Sequence, residues 1–267
     1  MTPSTASIAA GQDDFISVTE RGGEPVSQAQ VDRFFQRYIW AGEIARGKDV
    51  LELACGTGPG LGHLQQLARR LVAADISAQV LAAARAHYGL RIDLRQLDAC
   101  NTGLEAGSFD VVILFEAIYY LPDVEAFLGE VARLLRPGGR LLLATANKDL
   151  FDFNPSPFSH RYFNPPELAA LLRDRGFDAA FFGGSPVPAA GMKTRLLRAA
   201  KRFAARHRLI PGSMNGKRLL KRLVFGPLVS MPVELDAHGA AYAAPQPIPA
   251  DQPDTRHQVL YCLATKL

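Results

Sequence analysis

Three glycines, Gly56, Gly58 and Gly60, lie in one short stretch directly after an apolar run. Glycines where a strand turns into a helix let the backbone bend tightly and approach a ligand, because no Cβ stands in the way. The first turn of the following helix also presents unpaired N–H groups. The spacing alone is weak evidence, since such a loop could serve a dinucleotide, another nucleotide or no ligand at all.

Two carboxylates follow the next apolar segments. Asp75 ends the run that starts at Leu71, and Asp98 follows an alternating segment over residues 90–97. The carboxyl ends of parallel strands meet at one edge of a sheet, where ligands of such folds bind. The carboxylate of Asp75 is therefore expected to accept hydrogen bonds from ribose hydroxyls.

Short apolar runs alternate with helical patterns of 10–15 residues, which predicts an α/β fold with right-handed crossovers and a doubly wound, mainly parallel, Rossmann-like sheet. The seven expected strands cover residues 49–54, 71–75, 90–97, 109–115, 140–145, 177–182 and 257–265. A helix is expected before them, because Val31, Phe34, Phe35, Tyr38 and Ile39 share one face. Another is expected over 165–175, with Asn164 as its N-cap.

The charge of the chain is segregated. Residues 179–233 contain eleven Lys and Arg and no acidic residue. We predict a flexible tail over 1–27, a cofactor-binding domain over 28–183 and 256–267, and a basic helical insertion over 184–255. Several interpretations of the basic stretch at 193–225 stay open: a cap with solvated charges, a surface for a diphosphate- or lipid-linked glycan, peripheral contact with an anionic membrane, and, least favoured, nucleic-acid binding.

Composition excludes several classes. The three cysteines, Cys55, Cys100 and Cys262, have no metal-ligand spacing, so reduced thiols and no metal are expected. The longest apolar run, at 111–115, is far too short to span a bilayer, and the N-terminus does not resemble a secretory signal. A cytoplasmic location is expected, with peripheral contact at the inner face of the membrane as an option.

The motifs resemble, in order and spacing, the class I S-adenosylmethionine-dependent methyltransferase family. The resemblance rests on residues 52–60, Asp75, Asp98, 108–116 and 135–140, and it covers about 48–183 plus the last strand. It implies S-adenosylmethionine as the cofactor and S-adenosylhomocysteine as the product. The implied cofactor residues are Glu52 with Gly56, Gly58 and Gly60 at the methionine part, Asp75 at the ribose, Asp98 at the adenine amino group, and Phe115 and Glu116 closing the pocket, completed by Ala54, Ile76 and Ala99.

A nicotinamide oxidoreductase is the competing interpretation, since it too has a glycine-rich first turn and a later acid. Those enzymes space their glycines as Gly-x-Gly-x-x-Gly. Here the third glycine comes one residue early, and Glu52 precedes Gly56 by four residues. Both differences favour the methyltransferase.

The residues after 109–115 bear on the acceptor. Enzymes that methylate exocyclic base amines carry Asn/Asp-Pro-Pro-aromatic there, and this chain does not, so base methylation is disfavoured. Many small-molecule members have a histidine where this chain has Tyr120. A tyrosine titrates too high to act as a base near neutrality. Tyr119 and Tyr120 either shape or hydrogen-bond the acceptor, or one of them simply packs.

The segment 147–163 mixes aromatic and polar residues, as a sugar- or ring-binding lid does. It resembles methyltransferases of bacterial polysaccharide and glycoside pathways. His160 is the best candidate for a general base, with Asp149 and Asp152 as weaker ones, although positioning alone can supply much of the rate. We expect O-methylation of a sugar, glycan or related natural product by single displacement. N- or C-methylation of another small molecule and a non-catalytic binding protein remain the alternatives.

Overall fold

The computed structural model describes residues 19–187, 227–235 and 241–267. The basic stretch at 193–225, for which a glycan or membrane contact is expected, lies outside the described residues. Most of the expected insertion at 184–255 lies outside them as well, so its boundaries stay a prediction. No helix in the described ranges is long and apolar enough to cross a membrane.

An eight-stranded sheet organises the described chain, in the order β4-β3-β2-β5-β6-β10-β7-β9. Strands β2 to β6 are parallel, and β10 runs antiparallel to both β6 and β7. The strands are β1 (Pro25–Ser27), β2 (Asp49–Leu53), β3 (Arg70–Asp75), β4 (Asp93–Gln96), β5 (Phe109–Phe115), β6 (Leu135–Ala146), β7 (Phe177–Pro186), β8 (Leu228–Ser230), β9 (Gln246–Ile248) and β10 (His257–Lys266). The predicted α/β class is confirmed.

Helices cover both faces of this sheet. They are α1 (Gln28–Ala45), α2 (Leu61–Leu67), α3 (Ala78–Tyr88), α4 (Val124–Leu134) and α5 (Pro165–Arg173). Strand β5 shows why two layers form. Its Val112 and Leu114 pack in the core with α4 and α5, whereas Val111 and Ile113 pack in the core with α1, α2 and α3. Successive strand residues point to opposite faces, so a strand buried on both faces is apolar throughout.

Side-chain N-caps begin α3 and α5, and the cap of α5 is the one expected at Asn164. Ser77 caps α3, with its hydroxyl accepting from the backbone N–H of Val80. Asn164 caps α5 and forms a full capping box with Glu167. The Asn-Pro-Pro sequence is therefore explained by helix capping, as predicted.

Three local features differ from the expectations. Strand β1, at the end of the expected tail, pairs with β8 in a separate two-stranded sheet. Strand β9 adds a short eighth strand beside β7, where seven were expected. Strand β6 begins at Leu135 rather than at residue 140, because the chain pairs with Phe109 before a register shift and only then resumes regular pairing. None of these pairings produces a periodic pattern in the local sequence from which it could be predicted.

Candidate functional site

A cavity of about 850 Å³ lies at the carboxyl edge of the parallel strands. Most of the expected site residues line it, and they come from four neighbouring strand ends and the segments that follow. The lining residues that the sequence singled out are Ala54, Gly56, Asp75, Ile76, Asp98, Ala99, Phe115, Glu116, Tyr119, Tyr120 and His160. Three expected residues, Glu52, Gly58 and Gly60, do not line the cavity.

The glycine loop joins β2 to α2 in a conformation that needs its glycines. Gly56 and Gly58 have φ values of 62° and 75°, in the left-handed region. At Gly60, a Cβ would lie 2.2 Å from the ring of Tyr38. Gly58 and Gly60 therefore shape the turn and its packing, while Gly56 forms part of the cavity wall.

Asp75 is fixed by backbone N–H groups. Gly56 donates to its Oδ2 and Ser77 donates to its Oδ1, both at 2.9 Å. Burial raises the pKa of Asp75, and the backbone hydrogen bonds oppose that rise. Each carboxylate oxygen can accept more than one hydrogen bond. Asp75 thus keeps acceptor capacity for hydroxyl donors in the cavity.

Glu52 lies below the cavity rather than on its wall. The hydroxyl of Tyr38 donates to its Oε1 at 2.5 Å, and the carboxyl is 1% exposed. Its Oε2 has no hydrogen-bond partner among the described residues. Burial raises the pKa of Glu52 to about 7. Glu52 accepts the hydrogen bond that holds Tyr38, whose ring lines the cavity; its expected contact with the cofactor stays a prediction.

Two non-glycine residues with positive φ end the central strands. Ala54 after β2 has φ 54°, and Glu116 after β5 has φ 51°. An L-residue in this region costs roughly 1–2 kcal/mol, and such strain concentrates at functional sites. Both residues line the cavity.

A buried arginine joins three segments beside Glu116. Arg37 on α1 is 5% exposed; its Nη2 lies 2.6 Å from Glu20 Oε2 and its Nη1 lies 3.4 Å from Glu116 Oε1. Tyr119 donates its hydroxyl to Glu116 Oε2 at 3.0 Å. Burial raises the pKa of Glu116. Burial alone would lower the pKa of Arg37, but Glu20 and Glu116 raise it above its ordinary value.

The segments at 117–122 and 147–163 contact each other, and His160 is the residue of the second segment that lines the cavity; the lid role of this segment stays a prediction. Tyr119 stacks on Tyr162 with ring centroids 4.4 Å apart. The hydroxyl of Tyr120 lies 2.6 Å from Ser156 Oγ, and the backbone N–H of His160 donates to the Tyr119 carbonyl at 2.7 Å. The weaker base candidates, Asp149 and Asp152, are not on the cavity wall.

Helix α1 supplies lining residues that the sequence reasoning missed. Gln30, Arg33 and Arg37 lie on the cavity wall, as does Gln258 from β10. Arg33 and Arg37 stand one helical turn apart, beside the apolar face that predicted the helix. Charged residues bordering an apolar stripe were the available signal, but nothing in the pattern says what that helix packs against.

Comparison with known proteins identifies the family. Residues 51–143 match the family described as "Methyltransferase domain". A ubiquinone biosynthesis O-methyltransferase from Pseudomonas paraeruginosa is 31% identical over 163 residues, which are 53% of this chain and 70% of that protein. The chain belongs to the S-adenosylmethionine-dependent methyltransferase family.

A further curated relative carries the same family name, and one solved structure shares the fold. A probable S-adenosylmethionine-dependent methyltransferase from Mycolicibacterium smegmatis is 38% identical over 136 residues, covering 49% of this chain and 52% of that protein. The chain thus spans about half the length of the first curated relatives it matches. The YcgJ protein from Bacillus subtilis has the same fold, with a TM-score of 0.58 at 16% identity over 86% of this chain and 97% of that one.

The residues that line the cavity fit the family's cofactor, S-adenosylmethionine. The open turn at Gly56 lies beside a carboxylate, Asp75, that backbone donors already hold in place. Asp98, exposed at the end of the next strand, accepts one backbone hydrogen bond from Cys100 at 2.8 Å and lines the same cavity. These groups suit a ribose and an adenine amino group. The described residues contain no group of three or more His, Cys, Asp or Glu side chains that could hold a metal ion.

Proposed function

We propose that this chain methylates an oxygen of a polar, ring-bearing acceptor, such as a sugar, a glycan or a related natural product, by single displacement. The observation that carries the proposal is one continuous cavity. It joins the Asp75 and Gly56 end, suited to a nucleoside, to a wall formed by Tyr119, Tyr120 and His160.

The half of the cavity near Asp75 and Gly56 would bind and orient the cofactor. S-adenosylmethionine, when bound, supplies an electrophilic methyl group. Asp75 would accept the ribose hydroxyls, Asp98 the adenine amino group, and the loop at Gly56 leaves room for the methionine portion. Because Asp75 is held by two backbone N–H groups, it is positioned before any ligand arrives, which lowers the cost of binding.

The acceptor half offers hydrogen bonds and one titratable imidazole. Burial, and then Glu116, raise the pKa of Tyr119, and burial raises the pKa of Tyr120. Both tyrosines therefore stay protonated near neutrality. The imidazole of His160 makes no hydrogen bond to any residue in the described ranges and lies on the cavity wall. We assign it the role of accepting the acceptor's hydroxyl proton, because a general base must lie within hydrogen-bond reach of the proton that it takes.

Oxygen is favoured as the methylated atom by the relatives, several of which are named ubiquinone biosynthesis O-methyltransferases. N- or C-methylation of another small molecule would use the same cofactor half. A protein that binds the cofactor without chemistry is the alternative of a different class.

Calorimetry with S-adenosylhomocysteine tests the cofactor half. We expect binding to the wild-type chain and at least about 100-fold weaker binding to Asp75→Asn, since a charged acceptor of two hydroxyl donors is lost. Asp178→Asn, an exposed aspartate on β7 away from the cavity, should bind as the wild type does. Absence of binding to the wild-type chain would refute the cofactor assignment.

Turnover tests the chemistry. Release of S-adenosylhomocysteine is measured with matched alcohol and amine acceptors of the same ring, and a preference for the alcohols is expected. His160→Gln should lower kcat by about 100-fold or more while leaving cofactor binding intact. Unchanged kcat in that variant removes the base role, and cofactor binding with no turnover on any acceptor favours the binding protein.

A further inference from the structure

Two arginines on the cavity wall have different surroundings. Arg33 and Arg37 lie one turn apart on α1, and both line the cavity. Arg37 lies between the carboxylates of Glu20 and Glu116. Arg33 forms no ion pair with any carboxylate within residues 19–187, 227–235 and 241–267.

The guanidinium of Arg33 has unused donors. Its Nη1 donates to Gln258 Oε1 at 3.1 Å, which is its one hydrogen bond among the described residues. A guanidinium carries five N–H donors. Arg33 is half-buried, and burial, followed by repulsion from Arg37, lowers its pKa. A partly buried cation without a counter-ion is unfavourable, so this side chain is suited to an anion that arrives with a ligand.

The other acidic groups on the cavity wall are already engaged or remote. Glu20 and Glu116 share Arg37. Asp75 accepts backbone hydrogen bonds at the end of β3, and Asp98 accepts one after β4, at the far edge of the parallel strands. The carboxylates of Glu116 and Glu20 act on Arg33 from a distance and raise its pKa, but neither accepts a hydrogen bond from its guanidinium. A ligand could therefore supply the paired negative charge that Arg33 lacks in the described part of the cavity.

The position of Arg33 separates it from the glycine loop. Its partner Gln258 belongs to β10, whose carbonyl at that residue accepts from the N–H of Asn147. In the sheet, β10 lies three strands from β2, a distance of about 14 Å at the usual strand spacing. Arg33 thus lies on the β10 side of the cavity, next to the start of the segment 147–163, and that segment supplies His160 to the wall where we place the acceptor.

We propose that Arg33 binds an anionic group, a carboxylate or a phosphate, carried by the acceptor. Gln258 holds the guanidinium in place, and Gln30 lines the cavity on the same helix. The planar guanidinium can donate two parallel hydrogen bonds to either anion. This inference deepens the proposed function and rests on it.

The test uses the full chain saturated with S-adenosylhomocysteine and two matched pairs of probes. These are 4-hydroxybenzoate against 4-hydroxybenzamide, and glucose 6-phosphate against glucose, with affinities measured by calorimetry. We expect at least one anion to bind the wild-type chain about 10-fold or more tightly than its neutral partner, and Arg33→Gln to abolish that preference. Arg173→Gln, an exposed arginine on α5, should keep it.

Binding of the cofactor product distinguishes the other source of an anion, its own carboxylate. S-adenosylhomocysteine carries that carboxylate and 5′-methylthioadenosine does not. Arg33→Gln could weaken the binding of S-adenosylhomocysteine about 10-fold or more and leave the binding of 5′-methylthioadenosine unchanged. Arg33 would then bind the cofactor's carboxylate, and the proposal is overturned. Equal affinity of the wild-type chain for the members of both probe pairs also overturns it. If Arg33→Gln does not fold, Arg33→Lys replaces it in the test, because lysine keeps the charge but cannot donate the two parallel hydrogen bonds of a guanidinium.

Failure of this inference is separable from failure of the proposed function. A wild-type chain that binds S-adenosylhomocysteine but shows no preference for either anion keeps the cofactor assignment and loses only the role of Arg33. A wild-type chain that binds no S-adenosylhomocysteine loses both.

Discussion

The two halves of the cavity are built by different means. At the ends of β2 and β3, backbone groups do the positioning: the N–H groups of Gly56 and Ser77 hold Asp75. Toward β5 and β10, side chains do it: Arg37 joins Glu20 and Glu116, which lie far apart in the sequence. The first half depends on local backbone conformation, and the second depends on tertiary packing and charge balance.

This difference predicts which substitutions each half tolerates. A loop positioned by its backbone is sensitive to added atoms and insensitive to changes in neighbouring side chains. A wall positioned by buried charges is sensitive to the loss of one charge and to pH, because removing one partner leaves the others buried and unpaired.

The largest effect is expected for Arg37→Gln. This change leaves Glu20 and Glu116 without their shared cation, and it should lower the free energy of unfolding by about 3 kcal/mol at pH 8. Urea denaturation at pH 8 and pH 5.5 measures it. The carboxyls of the variant take up protons more readily than in the unfolded chain, so the loss should shrink as the pH falls.

The surface pair of Arg175 and Glu125 is the control for Arg37. Its two side chains are 37% and 68% exposed, and Arg175→Gln should cost less than about 1 kcal/mol. A loss for Arg37→Gln that is equally small, or that does not change with pH, would contradict the view that buried charge positions this wall.

The same difference explains what the sequence could predict. Gly56, Asp75 and Asp98 were found because a strand end, a glycine turn and an acid are local features that keep their spacing. Arg33 and Arg37 were missed as site residues because a helical pattern predicts a face but not the partner of that face. The salt bridge from Arg37 to Glu20 joins a helix to a segment that appeared to be a polar tail.

The cofactor contact expected for Glu52 stays a prediction, although Glu52 itself does not line the cavity. Its position four residues before Gly56 predicts a group near the ligand. Only the tertiary structure shows that Tyr38 from α1 both donates to Glu52 and lines the cavity.

Gly60→Ala should have the next largest effect, because it adds an atom to the backbone-built half. The new Cβ would lie 2.2 Å from the Tyr38 ring, and that ring is held by its hydrogen bond to Glu52 and by contact with Phe115. We expect a loss of about 2–3 kcal/mol in the free energy of unfolding, with weaker binding of S-adenosylhomocysteine. Urea denaturation and calorimetry measure the two.

Gly129→Ala is the matched control, since Gly129 lies within α4 and a Cβ there would have ordinary contacts only. It should be neutral or stabilise by up to about 1 kcal/mol, because alanine favours the helix. A similar outcome at Gly60 would show that the loop tolerates a side chain after all.

Glu52→Gln should remove a pH dependence of stability. The folded-state pKa of Glu52 is about 7, above its ordinary value of 4.5. Between those values the folded chain holds a proton that the unfolded chain releases, so the stability of the wild type falls as the pH rises through this window. We expect Glu52→Gln to gain about 2 kcal/mol relative to the wild type between pH 5 and pH 8.

Denaturation across that pH range measures the effect of Glu52→Gln, with the exposed Glu105→Gln as the control. Parallel pH profiles for the wild type and Glu52→Gln would show that the buried carboxyl titrates normally. That result would contradict the prediction that burial raises the pKa of Glu52.

Ser77→Ala should have the smallest effect and separate the two roles of one residue. Its hydroxyl caps α3, whereas its backbone N–H holds Asp75. The substitution removes the cap and should cost about 1 kcal/mol of stability, while the N–H to Asp75 remains. Affinity for S-adenosylhomocysteine should therefore stay within about twofold of the wild type, a change of less than about 0.5 kcal/mol.

Asn164→Ala removes the comparable cap of α5, away from the cavity, and should cost a similar amount of stability. If Ser77→Ala instead weakens binding about tenfold, the carboxylate of Asp75 depends on the side-chain cap as well, and the cofactor half is not positioned by its backbone alone.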